Sequence, residues 1–231
     1  MILVGSAIRK HPHFFYLSEE KLGLLLVLPL VVFAVLIVLY PIGYSFWLSL
    51  HDINFVTGKF KFSGFEQYYK VLQDPDLPHN IMVTLRFVAD VTIINILGGI
   101  GIALLLNETF RGRSLARVIV LLPWAAAEYT TAIMWRYLYD SQLGFFNAVL
   151  ERMGLGAFTI LTPEFAIDFV AVAYSWHYIP LITFFLLAGL QTVPEDLYRA
   201  ARVDGAGPFK RFLNVSLPHM RYAILISLVL I

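Results

Sequence analysis

The stretch LGLLLVLPLVVFAVLIVLYPIGYSFWLSL, residues 22–50, carries no charged side chain. About 20 apolar residues are enough for a helix to cross the ~30 Å hydrocarbon core of a bilayer. A secretory signal has a shorter apolar core, of roughly 7–15 residues, followed by a cleavage site with small residues. The stretch therefore predicts a retained membrane helix over about 22–49, preceded by a short terminal segment, 1–21.

The remainder of the chain has the same apolar character. Of its 231 residues, 59% are hydrophobic and 14% are charged, whereas soluble domains have about 25% charged residues. The predicted fold class is therefore all-α, a polytopic transmembrane helix bundle, with one membrane domain over 22–231. Further spans are predicted at about 81–106, 115–139, 166–190 and 218–231.

The last of these predicted spans is short. From Tyr222 to the final residue, Ile231, the helix would be about 15 Å long, which covers half of a bilayer. A helix that stops at that depth leaves backbone polar groups unsatisfied in lipid. We therefore expect the fifth span to be incomplete and the chain to be truncated at its C-terminus.

The distribution of basic residues predicts the orientation. With a cytoplasmic N-terminus, eleven of the 17 Lys and Arg residues fall on the cytoplasmic side, as the positive-inside rule requires. The loops 51–79 and 140–165 then face outward. Each contains a short amphipathic helix, in SGFEQYYKVLQDPDLP (63–78) and LGFFNAVLERMG (143–154).

The sequence contains no motif for catalysis. A nucleotide-binding P-loop needs G-x-x-x-x-G-K-[ST], whereas Gly58-Lys59 is followed by Phe60 and lacks the first glycine. The metalloprotease pattern H-E-x-x-H and the hydrolase pattern G-x-S-x-G are also absent, and without cysteine there is no disulfide or thiolate metal site. We therefore predict no catalytic residue and no metal site, and the net charge of +1 gives no reason to expect a nucleic-acid partner.

The segment 191–217 is polar, although apolar spans flank it on both sides. Thr192 is expected to cap a helix that has Pro194 in its first turn, and Asp204-Gly205 offers a turn. A second short helix follows, and Pro218 opens the next span. Such a helix–turn–helix suits insertion into a groove on another protein. The alternative is an amphipathic loop that lies on the lipid headgroups.

The spacing within this segment resembles a known motif. Ala200-Ala201 is followed after three residues by Gly205, and nine residues later comes Val215-Ser216-Leu217-Pro218. This is similar to the EAA loop in permease subunits of binding-protein-dependent ABC importers, although Arg199 stands where the family has Glu. The resemblance extends to YPIGYSFWLSLHDINF (40–55), FSGFEQYYKVLQDP (62–75), LLPWAAAEYTTAIMWRYLYDSQLGFFNAVL (121–150) and LLAGLQTVPEDLYRAARVDGA (186–206). Together they resemble the carbohydrate-uptake branch that includes the maltose-system F and glycerol-phosphate-system A subunits.

The resemblance implies the membrane domain of a type I ABC importer, with six core helices, in the inner membrane of a prokaryote. The implied partners are an ATP-binding subunit dimer, a second homologous permease subunit, an extracytoplasmic solute-binding protein and the lipid bilayer. ATP and Mg would be bound by the partner ATPase, so no cofactor is expected in this chain. The residues implied in coupling to the ATPase are Arg199, Ala200, Ala201, Asp204, Gly205, Ala206, Phe209, Phe212, Leu217 and Pro218.

The predicted spans contain polar side chains that need partners or a wet cavity. Arg86 and Asp90 are four residues apart and are expected to pair on one helix face, and Pro180 is expected to kink the fourth span. We predict that five residues line a translocation cavity. These are Asn95, Glu128, Tyr129, Trp176 and His177.

Other interpretations of these residues stay open at this point. Glu128 could serve an interhelix hydrogen bond, and His177 could be a satisfied core histidine. The alternative functions are an ion-gradient-driven secondary transporter that uses Glu128 or Asp90, and a membrane scaffold that transports nothing.

Overall fold

The structure, a computed structural model, describes residues 18–54, 56–156 and 158–231. The chain divides into two compact units, the first ending at Leu77 and the second beginning at Pro78. Each unit is described separately. The predicted segment 1–21 lies almost entirely outside the described residues.

The first unit begins with a long apolar helix. It consists of α1 (Glu19–Ala34), a π-helical turn (Val35–Leu39) and α2 (Tyr40–Ser49), which together form one helix of 31 residues. The π-helical turn ends two residues before Pro41, whose ring would clash with the carbonyl one turn earlier in a regular α-helix. The helix covers the first predicted span and is long and apolar enough to cross a membrane.

A hairpin and a short helix complete this unit. Strands β1 (His51–Asn54) and β2 (Lys59–Phe62) pair antiparallel, with His51 opposite Phe62, and α3 spans Glu66–Leu72. Oδ1 of Asn54 accepts hydrogen bonds from the backbone N–H groups of Val56 and Thr57, which stabilises the turn. The short helix lies where the sequence predicts one, whereas the hairpin was not predicted.

The second unit is helical. It contains α4 (Leu77–Asn107), α5 (Arg113–Ala125), α6 (Glu128–Leu138), α7 (Phe145–Arg152), α8 (Ala166–Gln191), α9 (Glu195–Val203), α10 (Pro208–Arg211), a π-helical turn (Phe212–Ser216), α11 (Leu217–His219) and α12 (Arg221–Leu230). Helices α4 and α8 are long and apolar enough to cross a membrane. They cover the second and fourth predicted spans, and α7 lies where the second short loop helix is predicted.

The third predicted span, 115–139, is not one helix. Helices α5 and α6 meet at 91°, because Ala126 and Ala127 have extended backbone conformations. Pro123 lies just before the break and supplies no N–H group, and Glu128 restarts the helix where a negative charge is favourable. A second bend, of 68°, separates the helical stretch Pro208–His219 from α12, so the fifth predicted span, 218–231, is bent before Arg221.

The core of this unit lies between α4 and α8. Ala103, Leu106, Ile182, Leu186, Leu187, Leu190 and Met220 form one buried cluster. Gly99 permits the close approach, since a Cβ atom there would lie 2.9 Å from the Ile182 side chain. Gly189 does the same for α8 and α12, where a Cβ atom would lie 2.7 Å from that of Ala223.

Candidate functional site

A cavity of about 360 Å³ lies between α6 and α8. Four of its lining side chains are aromatic: Trp135, Tyr139, Tyr174 and Tyr178. Glu128 and His177 also line it. The break between α5 and α6 determines this arrangement, because it turns the first residue of α6 towards α8.

Glu128 and Tyr178 connect the two walls of the cavity. The Tyr178 hydroxyl donates a hydrogen bond of 2.6 Å to Oε1 of Glu128. The Tyr178 ring stacks on Tyr174, with ring centroids 4.4 Å apart. The cavity therefore presents a carboxylate beside two aromatic faces.

The five residues predicted to line a cavity have different environments. Glu128 and His177 line the cavity between α6 and α8. Asn95 is completely buried and Tyr129 is 79% exposed, and neither belongs to the wall of this cavity. Trp176 packs edge-on against Trp135, which does line it.

Several residues that line the cavity were not predicted from the sequence. Tyr174 and Tyr178 are four residues apart on α8, and Trp135 lies on α6. Such spacing occurs in any apolar helix rich in aromatic residues, so it gave no specific signal. The signal that could have drawn attention to Tyr178 is its position next to His177.

The ion pair of Arg86 also differs from the prediction. Nη2 of Arg86 lies 2.7 Å from both carboxylate oxygens of Asp168 on α8, whereas Asp90 is 3.9 Å away. Asp168 is therefore the main partner, and Asp90 on the same helix is secondary. The sequence spacing missed Asp168 because the pairing depends on how α4 and α8 are aligned.

The polar segment 191–217 contains α9 and α10 joined at Gly205. Gly205 has φ +74°, which is the left-handed conformation that glycine adopts without strain. The backbone N–H of Ala206 bonds to the Ala201 carbonyl, and that of Gly205 to the Arg202 carbonyl. This is a Schellman motif, and it confirms the predicted turn.

The predicted cap at Thr192 is wrong. The Thr192 hydroxyl donates to the Gly189 carbonyl at 2.8 Å, so this residue ends α8 and does not begin α9. Pro194 occupies the N-cap position of α9 and not its first turn. Thr192 lies between α8 and α9, and its hydroxyl bonds to a carbonyl group in the last turn of α8.

The surface of this segment is both charged and apolar. Arg199 lies 3.7 Å from Glu195 and from Asp196, so its charge is compensated within α9. Val203 is 88% exposed and Phe209 is 73% exposed, on either side of the Gly205 turn. The Tyr198 hydroxyl and Ser216 Oγ are 2.8 Å apart, which attaches α9 to the π-helical turn.

A family model described as "Binding-protein-dependent transport system inner membrane component" matches residues 22–231. The chain belongs to this family, which makes it a membrane permease subunit. The resemblance inferred from the EAA spacing and the predicted helical membrane fold are thereby confirmed.

Individual relatives agree with this assignment. The trehalose/maltose transport system permease protein MalF of Thermococcus litoralis is 36% identical over 214 residues, which cover 92% of this chain and 72% of the relative. The sn-glycerol-3-phosphate transport system permease protein UgpA of Yersinia pestis is 32% identical over 201 residues, covering 87% and 68%.

A solved structure has the same fold. It is a bacterial ABC transporter involved in the import of the acidic polysaccharide alginate, with a TM-score of 0.77 and 21% identity. The match covers 91% of this chain and 72% of the matched chain.

Proposed function

We propose that this chain is the permease subunit of an ATP-binding-cassette importer that moves a sugar or sugar-like solute across the inner membrane by alternating access. Family membership over residues 22–231 carries the proposal. The trehalose/maltose relative supports the class of solute. The N-terminus is cytoplasmic, and the chain works with an ATP-binding subunit dimer, a second homologous permease and an extracytoplasmic solute-binding protein.

The segment 194–213 is the contact with the ATPase. Val203 and Phe209 are large apolar side chains exposed on either side of the Gly205 turn, and exposed apolar groups of this kind are typical of protein interfaces. Arg199 is paired within α9. Docking through this helix therefore does not require the glutamate that the family usually has at this position.

Force on this segment reaches the membrane helices through short contacts. The Tyr198 hydroxyl joins α9 to the π-helical turn. Met220 is fully buried and belongs to the same cluster as Ile182 and Leu186 of α8. Because packed cores change between discrete arrangements and do not deform smoothly, a displaced loop shifts α8. The other half of α8 lines the cavity.

The cavity between α6 and α8 is this chain's part of the solute pathway. Aromatic faces together with hydrogen-bonding groups suit a sugar, which has apolar ring faces and polar edges. Tyr174, Tyr178 and Glu128 provide both kinds of contact.

The coupling role is tested by replacing Gly205 with valine. At φ +74° a β-branched residue is strained by roughly 1–2 kcal/mol, and this lowers the equilibrium constant for forming the turn by a factor of about 5–30. We expect uptake of radiolabelled trehalose or maltose per ATP hydrolysed to fall in proteoliposomes containing the complete importer. The ATPase subunits should still bind nucleotide.

Gly154→Val is the matched control, because Gly154 has a comparable φ of +76° but lies outside segment 194–213, so this variant should couple normally. Normal coupling in Gly205→Val would contradict the role of the loop. Uptake driven by an ion gradient without ATP would contradict the importer as a whole.

A further inference from the structure

We propose that Glu128 selects uncharged carbohydrates and rejects solutes that carry a phosphate or carboxylate group. The inference rests on the proposed function, since it concerns the charge of the solute that the cavity accepts. Both an uncharged and a charged solute have to be considered, because the relatives include a trehalose/maltose system and a sn-glycerol-3-phosphate system.

The first step is the position of the carboxylate. Glu128 lines the cavity as the first residue of α6, and its Oε1 atom accepts the Tyr178 hydroxyl at 2.6 Å. Among the described residues, no cation lies within 4.0 Å of this carboxylate. Its charge is therefore stabilised by the Tyr178 hydroxyl and by the N-terminal end of α6, and it is not neutralised by an ion pair.

The second step is what such a carboxylate binds. An ionised carboxylate only accepts hydrogen bonds, and bonds to a charged acceptor are about twice as strong as neutral ones. Neighbouring hydroxyl groups of a sugar are donors and fit this acceptor. The stacked rings of Tyr174 and Tyr178 lie beside it, so an apolar sugar face can contact them at the same time.

The third step is what the carboxylate excludes. Two unit charges of the same sign about 6 Å apart, at an effective dielectric constant of about 20, reduce binding on the order of a hundredfold. Arg136 also lines the cavity, but it is eight residues further along α6, which is about 12 Å of helix. A solute bound at Glu128 therefore interacts more strongly with the carboxylate than with the guanidinium.

The proposal is tested with trehalose and trehalose 6-phosphate, which share one skeleton and differ in charge. The complete membrane complex, with the second permease and the ATPase subunits but without the solute-binding protein, is titrated in nanodiscs by saturation-transfer NMR. The quantity measured is the ratio of the two dissociation constants. Omitting the solute-binding protein ensures that its own selectivity does not enter.

We expect wild-type protein to prefer trehalose by at least about tenfold, and Glu128→Gln to reduce that preference by a similar factor. Tyr178→Phe removes the hydrogen bond but keeps the charge, so it should still reject the phosphate. Glu151→Gln removes an exposed carboxylate on α7, outside the cavity, and should behave as wild type. Co-purification with the ATPase subunits checks that each variant has assembled.

The outcomes separate this inference from the proposed function. Equal binding of the two sugars by wild type, or an unchanged ratio in Glu128→Gln, overturns the charge selection while the importer stands. If Tyr178→Phe loses the discrimination as fully as Glu128→Gln, the hydrogen bond and not the charge is responsible, and the inference is wrong. If neither sugar binds and ATP-driven uptake is also absent, both proposals fail.

Discussion

The half of α8 next to the polar segment 191–217 packs more closely than the half that borders the cavity. In the first, Ile182, Leu186 and Leu190 are at most 2% exposed. In the second, Val170 is 45% exposed and Val172 is 43% exposed. One helix therefore combines a rigid part and an open part.

The difference assigns a physical role to each half. A close-packed interior has low compressibility and transmits displacement, so the rigid half can pass movement from the polar segment to the membrane helices. The open half has the space that a solute needs. The glycine contact at Gly99 maintains the first half, and the Arg86–Asp168 ion pair joins α4 to the far end of the second.

The largest effect is expected from a substitution that disrupts the closely packed half of α8. Gly99→Leu places a side chain where even a Cβ atom would lie 2.9 Å from Ile182 and 3.1 Å from Leu186. We expect the free energy of unfolding to fall by about 3 kcal/mol, measured by denaturant titration of the complex in detergent micelles.

Gly101→Leu is the matched control on the same helix, because among the described residues nothing lies within 4 Å of a Cβ atom at that position. Its free energy of unfolding should change by less than about 0.5 kcal/mol. If both variants lowered the free energy of unfolding equally, the contact of Gly99 with α8 would not be the cause of the loss in Gly99→Leu.

A smaller effect concerns the open half. A double-mutant cycle with Arg86→Gln and Asp168→Asn should give a coupling energy of up to about 1 kcal/mol, since the pair is partly exposed to solvent. The same cycle with Asp90→Asn should give a coupling near zero, because that distance is 3.9 Å. A larger coupling for Asp90 would reverse the assignment of partners.

The smallest expected effect lies in the loop after α6. The backbone N–H groups of Leu143 and Gln142 donate to Asp140 and hold the pKa of its carboxyl below the ordinary value of 3.8. The turn is therefore stabilised above pH 3.8, and this contribution disappears as the pH falls through the lower pKa of the folded state. NMR titration of 13C-labelled aspartate, with Asp140→Asn for assignment, measures it.

Arg136→Gln separates the two causes of this depressed pKa. The hydrogen bonds to Leu143 and Gln142 are the larger cause, and the charge of Arg136 contributes less. The pKa of Asp140 should therefore remain low in Arg136→Gln. A return to the ordinary value would mean that the charge, and not the backbone, is responsible.

The features that the sequence predicted correctly depend on local chemistry. Gly205 adopts the left-handed conformation expected of it, because that preference belongs to glycine itself. The apolar spans represented by α4 and α8 follow from their length and composition. Glu128 and His177, chosen because polar groups within a span need partners or a wet cavity, do line the cavity between α6 and α8, whereas their role in translocation stays a prediction.

The features that the sequence missed depend on how distant segments meet. Alanine favours helix, so Ala126-Ala127 gave no signal that predicts the break between α5 and α6. Arg86 finds Asp168 only because α4 and α8 are aligned so that the two side chains meet. Asn95 is completely buried and lies outside the wall of the cavity between α6 and α8, so its place in a translocation pathway stays a prediction.

The elbow between α5 and α6 has a consequence for hydration. The first N–H groups of a helix have no carbonyl partner within it, and the right-angle turn at Ala126-Ala127 separates those of α6 from the last carbonyl groups of α5. Within the hydrocarbon core of a bilayer, irregular backbone is stable only inside protein or against water. In a membrane, the elbow therefore has to be covered by protein or to face water.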